Sequence, residues 1–356
     1  MQIVLFDSAT RSSMLPFTAT RHAADIRAGI FTIKEKWERL LKTTVRLSHE
    51  ASDVQPGELA IPAHFIPTLE DHLQIIEAYK TGAALPAEFR TILHPWDIFI
   101  HNAWAIRSDA YIIMNEKKSA AIPASNKVSN EKAVFLEEGV KMEHCIINAI
   151  EGPVYIGKNA LVMEGTMIRG PVSIGDNAVV KMGAKLYGGT TVGPYCVAGG
   201  EIKNSVLMEY SNKAHDGYLG DSVIGAWCNL GAGTSNSNMK NNAGSISYLV
   251  NEEESPFPAG TRAGVIMGDY SRSAINTSFN TGTIVGVSCN IFGRDFPAKL
   301  TPNFMWGDQK YLFDKAIADI SNWKALKGME ITEAEITTLQ QLYYKSFENE
   351  KTNSSS

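Results

Sequence analysis

His215, Tyr218, Asn229 and Asn238 fall within one short stretch of the chain, and their types are those best suited to chemistry. Imidazole titrates near neutrality, so His215 can accept a proton and later pass it on, as a general base does. Asp216 sets a carboxylate beside that base, which bears on what the site accepts. Asn236, Asn238, Asn241 and Asn242 also suit turns, because Asn tolerates the left-handed region. No metal is expected: Cys145, Cys196, Cys228 and Cys289 are far apart with no C-x-x-C pair, and His64, His94, His101 and His144 show no partner pattern. The cysteines read as small buried side chains.

The elements that must position these residues are repeats. Ile150, Ile156, Val162, Ile168, Ile174, Val180, Leu186, Val192 and Ala198 recur every six residues, often followed by Gly. That is the signature of a hexapeptide β-solenoid, in which each short strand turns one aliphatic side chain inward and only the next coil can bury it. Gly and Asn are expected at the corners, where φ is positive. The register slips at Gly199-Gly200-Glu201 and resumes at Leu219, Ile224 and Leu230, and such an irregularity often marks a site. A polar insertion from Met239 to Gly264, with the acidic run Glu252-Glu253-Glu254, is expected to project as a loop. Coils resume at Ile266, Ile275 and Ile284-Val285 and end near Phe296-Pro297.

Upstream, Ile3 to Phe6 reads as a buried strand leading into Asp7-Ser8-Ala9-Thr10-Arg11 and Leu15-Pro16. Helices are expected from about Ile30 to Leu41 and from Leu69 to Lys80 with Thr68 as N-cap and Gly82 as stop, and a further element opens at Leu93 to Phe99 and leads into Ile106 and Ile113. Downstream, Leu312, Ala316, Ile320 and Trp323 share a helix face, and Thr332 to Glu335 is a capping box for a second helix. The expected organisation is an α/β domain at 1–118, a linker at 119–132, the solenoid at 133–305, a helical cap at 306–350 and a disordered tail at 351–356. A net charge of −5 gives no basic field for nucleic acid. No apolar run suits a signal peptide or membrane insertion, so the chain reads as cytoplasmic.

Two resemblances sharpen this. The run Lys213-Ala214-His215-Asp216-Gly217-Tyr218-Leu219-Gly220-Asp221, then Asn229-Leu230-Gly231-Ala232-Gly233-Thr234 and Asn238, resembles the acetyltransferase half of the bacterial bifunctional UDP-N-acetylglucosamine pyrophosphorylase/glucosamine-1-phosphate N-acetyltransferase family. The N-terminal run Ile3 to Arg11 with Leu15-Pro16 looks like a divergent start of a sugar-1-phosphate nucleotidyltransferase. Asp7, Ser8 and Ala9 stand where that family has glycines, and Phe17 where it has lysine.

The resemblance implies a left-handed parallel β-helix, a homotrimer and acetyl-CoA held between neighbouring prisms. His215 is then the base that deprotonates a sugar amine attacking the thioester, with Asn238 holding base or amine. Lys203 meets a substrate phosphate, Tyr218 and Asn229 contact the sugar, backbone N–H groups near Ala232 serve the oxyanion, and Arg262 is an anion-binding candidate for the cofactor. Mg²⁺ would be needed only for nucleotidyl transfer. A UTP-dependent pyrophosphorylase and a non-catalytic sugar-nucleotide scaffold are the alternatives.

Overall fold

The computed structural model describes residues 2–85, 89–250 and 255–353. The N-terminal domain is built on a three-stranded parallel sheet, with β1 (Gln2–Phe6) between β2 (Arg46–Ser48) and β3 (Glu58–Pro62). Helix α1 (Ile33–Leu41) starts at Thr32, whose hydroxyl accepts from Glu35 N–H while the Glu35 carboxylate accepts from Thr32 N–H. It begins three residues later than the periodicity suggests, because this reciprocal cap fixes its first turn. Helix α2 (His72–Thr81) likewise starts after the expected Leu69. Thr68 spends its hydroxyl on the turn before it, accepting from Glu70 and Asp71 N–H, so Leu69 and Leu73 face solvent while Ile75 and Ile76 are buried.

Helix α3 (Asp97–Glu116) carries a buried ion pair: Lys36 of α1 donates to Asp109, which also accepts from Ile30 and Phe31 N–H. Burial pushes the Lys36 ammonium down and the Asp109 carboxyl up, each opposed by the partner's charge. Gly29 (φ +85°) threads past this pair, and a Cβ there would lie 2.4 Å from Asp109 Oδ2.

From Lys127 to Met305 the chain winds into a parallel β-solenoid with three faces. The site face runs from the strand Lys127–Ser129 to Tyr218–Gly220, the covered face from Val134–Leu136 to Thr283–Val285 and Leu300–Thr301, and the third face from Lys141–Met142 to Asn290–Ile291. The first coil begins inside the expected linker. Ile156, Val162, Ile168, Ile174, Val180, Leu186, Val192 and Ala198 all point inward and are buried, each contributing roughly 1.5–3 kcal/mol for a large aliphatic. Ile150 does not: it is 68 % exposed, because Ile147 fills that layer and a Gly152-Pro153 loop follows. The coil does not break at Gly199. It shortens, with Lys185 pairing to Glu201 and Val197 to Asn212.

Corners hold Asn159, Asn177, Asn204 and Asn276 at positive φ as expected, but Tyr195, Tyr210, Trp227 and Tyr270 are there too. Tyr195 stacks on Tyr210 at 4.8 Å and Tyr210 on Trp227 at 4.2 Å, so ring contact offsets the steric cost of those corners. All four cysteines are buried within the solenoid, as expected.

The insertion does not simply project. Ser247–Tyr248 pairs antiparallel with Phe257–Pro258, and Tyr248 is fully buried, stacked on Trp96 at 5.0 Å. The acidic run Glu252–Glu254 lies outside the described residues. Helix α4 (Phe313–Ala325) and helix α5 (Glu333–Asn353) close the chain; the Thr332–Glu335 capping box forms, and Leu312, expected on a buried face, is instead the exposed N-cap. Helix α5 runs into the segment expected to be a loose tail, and residues 354–356 lie outside the described ones.

These parts share one core. Val206, Val223, Ile266 and Ile284, on the outer side of the covered face, pack in a cluster with Leu5, Phe17 and Trp37 and with Ile320 and Leu339. Arg21 ties the N-terminal domain to two solenoid corners, donating to Asp269 at 2.7 Å and Glu209 at 2.9 Å. Asn102 of α3 donates to Gly189 O at 2.7 Å.

Candidate functional site

His215 sits on the corner between the third face and the site face, after the strand Asn212–Lys213 and before Tyr218–Gly220. It is exposed, and its ring makes no hydrogen bond among the described residues. The corner packs tightly on its neighbours: a Cβ on Gly217 (φ +126°) would lie 2.1 Å from Thr234 O. One coil along, Gly233 N–H donates to Asp216 O at 3.0 Å, which places Ala232 directly over the His215 corner. The Ala232 carbonyl accepts from Asn276 N–H at 2.7 Å, while its own N–H makes no backbone hydrogen bond among the described residues.

On the site face a polar network stands next to this corner. Asn238 Nδ2 donates to the Tyr218 hydroxyl at 3.1 Å and to Asp221 Oδ2 at 2.5 Å, and Asn204 Nδ2 donates to Asp221 Oδ1 at 2.6 Å. Both hydrogens of the Asn238 amide are therefore engaged and its carbonyl oxygen remains to accept. The Tyr218 ring lies across Gly220, where a Cβ would be 2.2 Å from its hydroxyl oxygen. Burial, with the charges of Asp221 and Glu201, pushes the Tyr218 phenol up to about 12, while Arg262 acts against it. Tyr218 is thus a neutral hydrogen-bonding group at physiological pH.

The structure brings some expected residues together and separates others. Tyr218 and Asn238 bond directly, Arg262 acts on Tyr218, and Lys203 lies in register beside Gly220, exposed and without an ion-pair partner among the described residues. Arg262 is near enough for its charge to favour the Tyr218 phenolate. Asn238 is held by Tyr218 and Asp221 and does not bond to His215. Asn229 stands on the third face, in register with Asn212 and Arg272.

Asn204 and Asp221 were not singled out by sequence reasoning. Their signal was faint: Asp221 ends the Tyr-Leu-Gly-Asp run and Asn204 follows Lys203, and only coil stacking makes them neighbours. Asn236, which suits a turn by type, lies instead in the strand Ser235–Asn236. It points inward, giving Gly220 N–H an acceptor at 2.8 Å and Gly220 O a donor at 3.0 Å, so its amide completes the ladder where strand pairing lapses.

In the N-terminal domain, Asp7, His22 and His49 converge at the C-terminal edge of the sheet. They do not suit Mg²⁺, a hard cation that takes oxygen ligands. Asp7 already accepts from Arg11, His49 and Ala23 N–H, and His22 is satisfied through Ser48 O and Ala24 N–H. Phe17, in the place of the family lysine, is fully buried in the core. Among the described residues no helix is long and apolar enough to cross a membrane.

Residues 3–88 match the family model for sugar nucleotidyl transferases and residues 153–188 the model for bacterial transferase hexapeptide repeats. The chain is 26 % identical to the bifunctional protein GlmU of Methanococcus maripaludis strain C5, over 65 % of this chain and 52 % of that protein. It is 30 % identical to GlmU of strain S2, again over 65 % of this chain and 52 % of the relative. It is 31 % identical to the bifunctional sugar-1-phosphate nucleotidylyltransferase/acetyltransferase of Sulfurisphaera tokodaii, over 56 % of this chain and 43 % of that one. The chain is similar to these bifunctional proteins in both parts, a nucleotidyltransferase-like N-terminal domain and a hexapeptide solenoid. It spans about half the length of the curated relatives it matches.

Proposed function

We propose that this protein is a cytoplasmic CoA-dependent transferase that acetylates an amino-sugar phosphate or a nucleotide-linked amino sugar, with His215 as general base. The observation that carries this reading is the pairing of an exposed, unbonded imidazole with the Asn204–Asp221–Asn238–Tyr218 network on one side and the Ala232 N–H on the other. The names of the relatives, which include acetyltransferase and sugar-1-phosphate nucleotidylyltransferase, point the same way.

In this reading Tyr218 and the free carbonyl of Asn238 orient the sugar, and Lys203 with Arg262 receives its phosphate. Asn229, around the corner, extends the site toward the third face. His215 removes a proton from the attacking amine as its nitrogen bonds to the thioester carbon. The tetrahedral oxygen is stabilised by the Ala232 N–H. The C–S bond then breaks, and the proton held by His215 passes to the departing CoA thiolate, so the products are amide and thiol.

Ile146, Met167 and Met182, on or beside the site face, are about half exposed or more and are left uncovered by the rest of the chain. A homotrimer with acetyl-CoA between prisms accounts for that surface, and light scattering on the purified protein tests it: a monomer would remove the shared site. The transferase reading is tested by thiol release from acetyl-CoA with glucosamine-1-phosphate and other amino-sugar phosphates. Intact protein releasing thiol, and a folded His215→Ala variant releasing none, supports it. No release with any acceptor sinks it. Pyrophosphate release from UTP, run in parallel, would instead favour nucleotidyl transfer.

A further inference from the structure

The third face is lined inside by Val162, Val180, Ala198, Leu230 and Ile291, yet between Ala198 and Leu230 the inward position is Lys213, only 2 % exposed. Its ammonium donates to Gly199 O at 3.2 Å and to His215 O at 2.6 Å. The ladder is interrupted at this level. Neighbouring steps of the face pair both residues of each strand, as Val179-Val180 with Val197-Ala198 and Asn229-Leu230 with Arg272-Ser273, but from Asn212-Lys213 to Asn229-Leu230 only the Asn212–Asn229 rung forms. Burial lowers the lysine to about 8, with the Asp216 charge acting the other way.

A charge inside a stack of aliphatic side chains costs several kcal/mol unless its hydrogen bonds compensate. A Leu or Met at this register would fill the layer without that cost. What the ammonium does that an aliphatic group cannot is bind two corner carbonyls, one of them belonging to His215 itself.

We infer that Lys213 is a positioning residue: from inside the solenoid, at a level where the ladder to the next coil loses a rung, it ties the His215 carbonyl to the Gly199 corner and so fixes the corner that presents His215. The inference rests on the acetyl-transfer reading for its effect on rate, but the latch itself is a structural statement that can be tested separately. The inner end of this latch never reaches substrate. It acts through the backbone of the base.

The test uses Lys213→Met, with Lys213→Leu as a second variant matched to the neighbouring Leu230, each checked for native circular dichroism. Hydrogen exchange should rise about tenfold or more at the 214–217 corner and stay unchanged in distant coils. Unchanged exchange at that corner overturns the latch, whatever the activity. In the acetylation assay kcat should fall about 10–100-fold, the size expected for a misplaced catalytic group, with KM for the acceptor moving less than about threefold. The same substitution in a His215→Ala background should cause no further loss. A normal kcat, or a full extra loss in that background, overturns positioning through His215. If exchange rises but wild-type protein transfers no acetyl group, the latch stands and the transferase reading falls.

Discussion

Removing Arg21 should reveal how firmly the N-terminal domain is bound to the solenoid. Its guanidinium, 12 % exposed, bridges Asp269, 4 % exposed, and Glu209, 29 % exposed. Asp269 has other donors, Thr20 Oγ1 at 2.6 Å and Ala226 N–H at 2.8 Å, so part of its charge stays solvated by protein when Arg21 is lost. Among the described residues Glu209 forms no second ion pair, although Arg27 lies near enough for its charge to act. Arg21→Ala thus leaves the buried Asp269 and the half-buried Glu209 without their main counter-charge, a change that costs about 3–5 kcal/mol.

At about 2 °C per kcal/mol for a chain of this size, the melting temperature should fall by about 6–10 °C. The pH dependence supplies a second check. Burial by itself raises the Glu209 carboxyl, but Arg21 and then Arg27 outweigh it and the net shift is downward. A carboxyl lowered in the folded state adds stability above its unfolded pKa, and that stability is lost as pH falls through the folded value. In Arg21→Ala burial dominates, and protonation relieves the orphaned carboxylate. The gap in melting temperature between wild type and variant should therefore narrow as pH falls from 7 towards 4. A variant that melts within about 2 °C of wild type at pH 7, or a gap that stays constant with pH, would refute the reasoning.

Lys36→Met should cost about 3–5 kcal/mol in urea denaturation, because it strands the buried Asp109 carboxylate. Gly29→Ala should be at least as damaging, since φ of +85° is strained for any side chain and the new Cβ meets Asp109 and Ala105; near-normal stability would contradict the packing described. Burial lowers His64 to about 4, and its buried Nδ1 has no partner, so it favours the folded state fully above the unfolded value of 6.5 and loses that preference as pH falls towards 4. His64→Phe should flatten this part of the stability–pH curve, measured by chemical denaturation at pH 7, 6 and 5. Asn236→Ala should cost about 1–3 kcal/mol by leaving the buried Gly220 N–H unpaired, while Gly220 O keeps the Ser222 hydroxyl, read by the shift of its thermal unfolding curve.

Much of the fold was legible because it rests on short-range rules. The six-residue spacing placed Ile156 to Ala198 inside the solenoid, and the Thr332–Glu335 box set the start of α5. The site was legible only in outline. Tyr218 and Asn238 are twenty positions apart and meet because coils stack, which sequence spacing suggests; Asn204 and Asp221 join them through corner geometry that spacing does not reveal. Lys213 could not be distinguished from a surface lysine, since its inward orientation depends on the shortened coil. Ile150 shows the converse, an aliphatic residue in the right phase that a loop turns outward. Tyr195, Tyr210 and Trp227 took corner positions expected for Gly and Asn because each supports the next, a cooperative effect with no local signature.

The cluster joining Leu5, Phe17 and Trp37 to Ile266, Ile320 and Leu339 makes this chain indivisible in a practical sense. A solenoid freed of its N-terminal domain would present Val206, Val223, Ile266 and Ile284 to water as one apolar strip, and a free N-terminal domain would present the complementary one. Exchange of either half for a homologous module requires that the strip be rebuilt with it. Truncation would yield aggregation-prone fragments instead of two stable modules, and the two halves must be inherited together.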